Sequence, residues 1–277
     1  MDNSSLATRM KDYESVSKTR LTRRTPVIIR IDGKAFHTFT KGMRRPFDYV
    51  LTETMRETTR YLCENIQGCV LGYTQSDEIS LVLVDYKTFE TSAWFDNEVQ
   101  KICSVSASMA TMAFNKFFRR YVENLYYNTK VAMTDEEERK WYELYESKFD
   151  IAMFDARCFN LPKEEVTNYI YWRQLDAMRN SIQAVGQANF SQTQLNLKSC
   201  NDIKNMLKQK GINWDDFPTG LKRGSCAVKS DNPVDIVVNV GDRKIITHRK
   251  LWYIDRKIPV FKGDGREYIE RLIRFDE

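Results

Sequence analysis

Short apolar runs and longer segments with helical spacing alternate along the first part of the chain. Residues 27–31 form a β-branched run that stops at Asp32-Gly33, so they predict a buried strand ending in a tight turn. Between residues 48 and 66 the apolar positions recur at helical spacing. Asp48 is well placed as the N-cap of that helix, and Gly68 as its stop.

The same spacing patterns predict helices and strands in the rest of the chain. Two apolar runs flank a polar loop at 74–78 and predict a hairpin, and the charge-dense segment 128–148 predicts an exposed, partly helical insertion. The remaining predicted elements are hairpin strands at 69–73 and 79–84, helices at 97–127, 163–182 and 200–210, and strands at 157–161, 226–229, 236–239 and 245–247. This order indicates an α+β fold with helices packed on one sheet.

Composition narrows the class of protein. A chain of 277 residues with 42% hydrophobic content can bury a core, and its net charge of +5 is compatible with a polyanionic partner. No apolar stretch reaches the roughly 18 residues that a membrane span needs, so we expect a cytoplasmic protein. Six dispersed cysteines without a Cys-x-x-Cys pair, and only His37 and His248, argue against a zinc site. Any metal would depend on carboxylates.

Two carboxylates are the strongest chemical candidates. Asp32 ends the first predicted strand, and Asp77 lies on the loop of the predicted hairpin. If the hairpin pairs beside that strand, both acids reach one edge of the sheet, where they would repel unless a divalent cation lay between them. Hard oxygen donors suit Mg²⁺, so we expect two-metal phosphoryl transfer, with the Gly33 carbonyl close to an ion. Glu78 is expected to point to the other face from Asp77.

Each motif also has an ordinary structural interpretation. Asp32-Gly33 alone is a common turn, and Ser76-Asp77-Glu78 alone is a common hairpin loop. His37 could be a packed, hydrogen-bonded histidine, and Lys101 a helix-surface lysine. The aromatic residues Tyr169, Tyr171 and Trp172 are predicted to lie in the core rather than to stack on bases.

The combination of motifs resembles the tRNA-histidine guanylyltransferases and the related tRNA 5′-end repair enzymes. The resemblance covers roughly residues 27–182, with weaker similarity to about 229, and lies in RIDGKAFHTFT (30–40), RPFD (45–48), GYTQSDEIS (72–80), FDAR (154–157) and WRQLD (172–176). It implies a palm-like antiparallel sheet with a ferredoxin-like core. It also implies a single unit over 1–277, with a catalytic core at 20–195 and a C-terminal extension at 196–277 that packs on it and could hold tRNA.

The resemblance implies roles for particular residues. Asp32, Asp77 and the Gly33 carbonyl would bind two Mg²⁺ ions, with the two aspartates as catalytic residues. The nucleotide would be bound by Lys34, Ala35, Phe36, His37, Ser76, Glu78 and Lys101. Triphosphate or tRNA would be bound by Arg30, Arg45, Arg157, Arg179, Asn180, Lys198 and Arg223. Nucleotides would be added to the 5′ end of tRNA in the 3′-to-5′ direction. GTP and other nucleoside triphosphates would be the substrates, ATP would serve for activation, and the protein would be a homotetramer built as a dimer of dimers.

One departure from the family pattern bears on the substrate. Eukaryotic tRNA-histidine members have a His-Ile-Asn-Asn signature where this chain has Met178-Arg179-Asn180-Ser181. Loss of the histidine favours template-dependent repair of 5′-truncated tRNA over strict guanosine addition to tRNA-histidine. Two alternatives stay open, a palm-type nucleotide cyclase or cyclic-dinucleotide synthase, and a non-catalytic tRNA-binding protein.

Overall fold

The fold is seen in a computed structural model that describes residues 4–128, 135–240 and 243–275. Its helices are α1 (Ser5–Ser15), α2 (Phe36–Phe39), α3 (Tyr49–Asn65), α4 (Val99–Asn128), α5 (Asp135–Glu146), α6 (Lys163–Asn189), α7 (Gln192–Leu195), α8 (Cys200–Gln209), α9 (Thr219–Lys222) and α10 (Glu267–Glu270). Its strands are β1 (Val27–Gly33), β2 (Cys69–Gln75), β3 (Glu78–Leu83), β4 (Phe154–Asn160), β5 (Ser225–Lys229), β6 (Val234–Val240), β7 (Arg243–Arg249) and β8 (Trp252–Asp255).

The main sheet has the strand order β4-β1-β3-β2-β5-β8, and every neighbouring pair is antiparallel. Helix α3 connects β1 to β2, and α4 with α5 connects β3 to β4. The first four strands and their crossover helices therefore form a βαββαβ unit of ferredoxin-like order. The predicted α+β, palm-like fold is confirmed.

Alternation along β1 divides the core between two faces of the sheet. Ile29 and Ile31 are fully buried in the cluster that includes α3 and α4 residues, such as Phe114. Ile28 belongs to the cluster on the other face, where α6 and the C-terminal residues pack, including Phe261. Burial of both faces explains why Val27, Ile28 and Ile29 are apolar without interruption.

Most predicted elements are confirmed, with shifted ends. Strand β4 begins at Phe154 rather than at residue 157, and α6 continues beyond residue 182 to Asn189. Helix α1 and strand β8 were not predicted. The side chain of Asp48 caps α3 as expected, because its Oδ1 accepts from the Leu51 backbone N–H at 2.9 Å.

The charge-dense segment 128–148 is only partly as predicted. Residues 129–134 lie outside the described part of the chain, and α5 confirms the helical portion. The expectation of an exposed segment is wrong for Tyr145, which is buried, and for Trp141, which packs beside it against the core. These two rings lie one turn apart on α5 and form an apolar face.

The C-terminal residues extend the main sheet. Strands β5 and β8 continue it beyond β2, whereas β6 and β7 form a separate two-stranded sheet. Gln174 on α6 fixes this region, because its Nε2 donates to the Pro259 carbonyl at 2.9 Å and its Oε1 accepts from the Phe261 N–H at 3.0 Å. The extension predicted for residues 196–277 thus contributes strands to the sheet of the core. Within the described ranges, no helix has both the length and the apolar character to cross a membrane.

Candidate active site

The end of β1 meets the turn between β2 and β3 at one edge of the sheet. Asp32 is the last residue of β1 before Gly33, and Asp77 lies in the two-residue turn that joins Gln75 to Glu78. The Gly33 N–H donates to the Asp77 carbonyl at 3.1 Å, which ties the strand end to the turn. Ser76 has a positive φ of 50°, the conformation that such short hairpin turns require. The structure therefore brings the two predicted catalytic acids to the same edge.

Electrostatics indicate that the two carboxylates interact. Burial raises the pKa of Asp77, its own N–H and the Ser76 hydroxyl lower it, and the negative charge of Asp32 raises it. A divalent cation between the acids would relieve this repulsion. In the part of the chain that the structure describes, no group of three His, Cys, Asp or Glu side chains could hold a metal ion. A cation here would therefore take its other ligands from backbone carbonyls, water or substrate, as Mg²⁺ commonly does.

The loop after β1 forms one wall of a cavity beside the acids. Ala35 adopts a left-handed conformation with φ of 55°, and α2 begins immediately after it. A Cβ on Gly33 would lie 2.3 Å from the ring of Phe36, so only glycine lets this ring close over the strand end. The cavity has a volume of about 380 Å³ and is lined by Gly33, Ala35, Phe36, His37, Thr40, Leu51, Ser76 and Asp77. Six of the predicted site residues thus line one space.

The predicted nucleotide-binding residues differ in exposure. Phe36 is buried and packs on Phe39, Phe114 and Phe154, so little of its ring is accessible. His37 is exposed, and its Nε2 lies 3.1 Å from the Thr38 hydroxyl, so it is not a packed core histidine. Lys34 is exposed and follows Gly33 directly, but its side chain does not line the cavity.

A second cavity of about 170 Å³ adjoins the first and shares Leu51 and Ser76 with it. Residues of α3, α6 and the segment 220–225 line it, including Asn180. Arg56 lies on its wall and is buried, with its Nε donating to the Ser225 hydroxyl at 3.1 Å and its Nη1 bonded to Glu53 at 2.6 Å. The sequence patterns did not indicate this cavity, because its walls come from distant segments.

Charged residues form two rows across the face of the sheet that α6 covers. In the first row Asp32 lies between Glu78 on β3 and Asp155 on β4. In the second row, two residues back along β1, Arg30 lies between Ser80 and Arg157. Since directly paired residues share a face, Glu78 lies on the side of Asp32.

Arg173 on α6 covers the first row. Its Nε bonds to Glu78 Oε1 and its Nη2 to Asp176 Oδ2, both at 2.7 Å. The Arg30 Nε lies 3.9 Å from Glu78 Oε2 and makes no hydrogen bond among the described residues. Burial raises the pKa of Glu78, whereas Arg173 and, more weakly, Arg30 lower it. Arg173 was not predicted as a site residue, although it belongs to the WRQLD motif.

Other predicted basic residues lie around this edge or away from it. Arg179 and Asn180 both bond to Asp176, the partner of Arg173. Arg223 precedes β5; its carbonyl accepts from the Tyr73 hydroxyl at 2.7 Å, and its Nε is buried without a hydrogen bond in the described chain. Arg45 is exposed in the loop before α3.

Two predicted lysines are not brought to the acids within one chain. Lys101 lies on the first turn of α4, 3.8 Å from Glu98 Oε2. That turn lies beside Cys158, whose Sγ is 3.8 Å from the Val99 carbonyl, and so is near the end of β4 opposite to Asp155. Lys198 is exposed after α7. Their assignments remain predictions.

The predicted burial of three aromatic residues on α6 is wrong for Trp172. Its side chain is 52% exposed, whereas Tyr169 and Tyr171 are partly buried against the second face of the sheet. The helical pattern could not assign Trp172 to a face, because apolar residues occur on several sides of this part of α6.

Comparisons with known proteins show which family the chain resembles. The family model described as Thg1, tRNAHis guanylyltransferase, matches residues 7–162. Curated relatives include the tRNA(His) guanylyltransferase of Schizosaccharomyces pombe, 26% identical over 87% of this chain and 86% of that protein. Another is the uncharacterised protein R259 of Acanthamoeba polyphaga mimivirus, 26% identical over 85% of this chain and 82% of that protein.

Solved structures extend the similarity to nearly the whole chain. A bacterial tRNA(His) guanylyltransferase (Thg1)-like protein in complex with ATP has 39% identity and a TM-score of 0.77, covering 98% of this chain and 99% of its own. The tRNA(His) guanylyltransferase of Saccharomyces cerevisiae has the same fold, with a TM-score of 0.59 at 20% identity over 78% of this chain and 91% of its own. The chain belongs to the tRNAHis guanylyltransferase family.

Proposed function

We propose that this protein is a magnesium-dependent nucleotidyltransferase that adds nucleotides to the 5′ end of tRNA in the 3′-to-5′ direction. The observation that carries the proposal is the junction of Asp32 and Asp77, tied by the Gly33 N–H to Asp77 carbonyl bond beside a cavity. Family membership supports the reaction class, since a guanylyltransferase is a nucleotidyltransferase.

The acids and the Gly33 carbonyl are the proposed ligands of two magnesium ions. Bound there, the ions would neutralise triphosphate charge and favour attack by the 3′-hydroxyl of the incoming nucleotide. Ala35, Phe36, His37 and Ser76 would hold the nucleotide in the adjoining cavity. Lys34, exposed next to Gly33, would neutralise phosphate charge. The hydrogen bond from Arg173 would hold the Glu78 carboxylate in place, so that it does not rotate toward Asp32.

The substrate is inferred from both the family and the sequence departure. Thg1-like bacterial structures in complex with ATP and with GTP support the binding of both nucleotides, to which we assign activation and addition, respectively. Met178 in place of the family histidine supports template-dependent repair of 5′-truncated tRNA. Arg30 and Arg157 would contact phosphates of the RNA or triphosphate. We also propose, from the resemblance, a homotetramer and a core at 20–195 extended by 196–277.

The experiment compares Asp32→Asn and Asp77→Asn with Asp12→Asn, which changes an exposed carboxylate on α1. The proteins are incubated with magnesium, each labelled triphosphate, and full-length or 5′-truncated tRNA. Loss of groups that merely support metal ligands costs 10- to 100-fold, so loss of either aspartate should reduce nucleotide addition by at least about 100-fold. Asp12→Asn should match wild type.

Other outcomes separate the alternatives. Release of pyrophosphate without RNA would identify a cyclase or cyclic-dinucleotide synthase. Binding of tRNA with no magnesium-dependent addition in wild type would identify a non-catalytic binding protein. Full activity of Asp32→Asn or Asp77→Asn would refute the assignment of the site.

A further inference from the structure

Trp172 is a large aromatic side chain that remains half exposed next to the catalytic edge. Its ring is 5.8 Å from that of Tyr169, and Arg173 Cζ lies 4.4 Å from its centroid. Arg173 is itself held by Glu78 and Asp176, so the guanidinium is a fixed backing for one side of the indole. The 52% exposure leaves much of the ring open to a further stacking partner.

The position of Trp172 relative to β4 follows from two ring contacts. Tyr169 packs on Phe159 of β4 at 5.6 Å between centroids, and Trp172 lies one turn further along α6. One helical turn rises about 5.4 Å, close to the rise of about 6.7 Å for two strand residues. Helix α6 runs toward the catalytic edge and β4 runs away from it. Moving one turn forward along α6, from Tyr169 to Trp172, therefore corresponds to moving two residues back along β4, from Phe159 to Arg157. These rises bring Trp172 to about the level of Arg157.

Positive charge lies at the same level of the sheet. Arg157 pairs in register with Arg30, and both are on the face that α6 covers. Arg157 is exposed and bonds to Asp155 at 3.1 Å, so its guanidinium retains donors for another acceptor. Strand β4 is the edge of the main sheet among the described residues, which leaves this side accessible. An exposed aromatic ring at about the level of two arginines has the composition of a single-stranded nucleic-acid site.

We propose that Trp172 is a stacking platform for an unpaired base at the acceptor end of the RNA, with Arg157 and Arg30 neutralising the adjacent phosphates. The inference rests on the proposed function for its substrate and adds to it the residue that positions the RNA end. A single exposed apolar residue is ordinary on a protein surface. Here Arg173 fixes one side of the ring, and Arg157 and Arg30 at its level can bind phosphates. Together they favour a nucleic-acid base as the stacking partner.

The test uses short acceptor-stem RNAs with 2-aminopurine either at the 5′-terminal nucleotide or at the first unpaired nucleotide of the opposite strand. Stacking on an indole quenches the fluorescence of this base, so titration with protein reports both binding and stacking. We expect quenching at one of the two positions with wild type and its loss with Trp172→Ala. Trp172→Phe should retain most of it, since any aromatic ring can stack.

Affinity and turnover are measured with the same variants. Base stacking contributes about 1–3 kcal/mol, which corresponds to roughly a 5- to 150-fold rise in the KM for RNA with Trp172→Ala. The KM for the nucleoside triphosphate should not change. Phe89→Ala is the matched control, since Phe89 is 82% exposed after β3 at the opposite end of the sheet. An abasic nucleotide at the quenched position should remove the difference between wild type and Trp172→Ala.

Three results would overturn the inference. They are unchanged quenching in Trp172→Ala, an equal loss of affinity for normal and abasic RNA, and a change of oligomeric state in sedimentation that accounts for the loss. The last would identify Trp172 as a contact between copies of the chain. The quenching assay needs no turnover, so it separates this inference from the proposed function. Quenching without nucleotide addition would leave the stacking site intact and refute only the reaction.

Discussion

The buried ion pair between Arg173 and Glu78 offers a stringent stability test. The two side chains are 8% and 7% exposed, and Arg173 Nε lies 2.7 Å from Glu78 Oε1. Arg173→Met keeps the length of the side chain and removes its charge, so Glu78 would remain buried without its main partner. Breaking a buried pair in this way costs about 3–5 kcal/mol of unfolding free energy. Adding Glu78→Gln should recover part of that loss, because no unpaired charge is then left.

The loss of unfolding free energy in Arg173→Met should depend on pH. Burial raises the pKa of Glu78, and Arg173 is the strongest influence that lowers it, so Arg173→Met raises that pKa further. A carboxyl whose pKa is higher in the folded state stabilises the fold below its unfolded pKa, and that contribution is lost as pH rises to the folded pKa. The difference between wild type and Arg173→Met should therefore be largest at neutral pH and shrink as pH falls through this window.

Urea unfolding followed by far-UV circular dichroism at a series of pH values measures this difference. Arg179→Met is the matched control, since Arg179 also bonds to Asp176 from α6 but is 65% exposed. It should cost less than about 1 kcal/mol, as exposed ion pairs do. A cost for Arg173→Met below about 1 kcal/mol, or one that grows as the pH falls, would refute the account of Glu78 as a buried, arginine-held carboxylate.

Two further substitutions test the supports of the site. Gly33→Ala should lower stability and nucleotide addition together, because its Cβ would meet the Phe36 ring at 2.3 Å. Adding Phe36→Leu should cost less than the sum of the two single losses in urea unfolding, and strict additivity would refute the clash. Tyr145→Phe should cost about 1.5–3 kcal/mol in the same assay, since the buried hydroxyl donates to the Asp48 carboxylate. A cost no larger than that of exposed Tyr13→Phe would refute this bond.

Local patterns were sufficient for the elements that frame the site. The β-branched run ending in Asp32-Gly33 and the polar turn at Ser76-Asp77 are signals that neighbouring residues determine, and both match the structure. Asp48 was recognised as a cap for the same reason. The meeting of Asp32 with Asp77 needed one more assumption, that the hairpin pairs beside β1. The antiparallel register of β1 with β3 confirms it.

Contacts between distant segments could not be predicted from those patterns. Strand β8 is four residues long, and its strand conformation depends on pairing with β5 rather than on a strong local run. The Arg173 to Glu78 bond joins residues on α6 and β3 that no spacing rule relates. The exposure of Trp172 likewise follows from how α6 packs on the sheet, which its own sequence pattern does not determine. Tertiary pairing decided each of these features.

The register of the sheet links the proposed metal site to the proposed RNA site. Successive residues on one face of β1 are two positions apart, so the rows that contain Asp32 and Arg30 are separated by about 7 Å. The first row is acidic and the second is basic, with Trp172 level with the second. An RNA backbone with one phosphate at a cation bound to Asp32 would therefore have its neighbouring phosphate close to Arg30 and Arg157. Because a slip of one residue in the pairing of β1 would turn both rows to the other face, strand register itself determines whether either site exists.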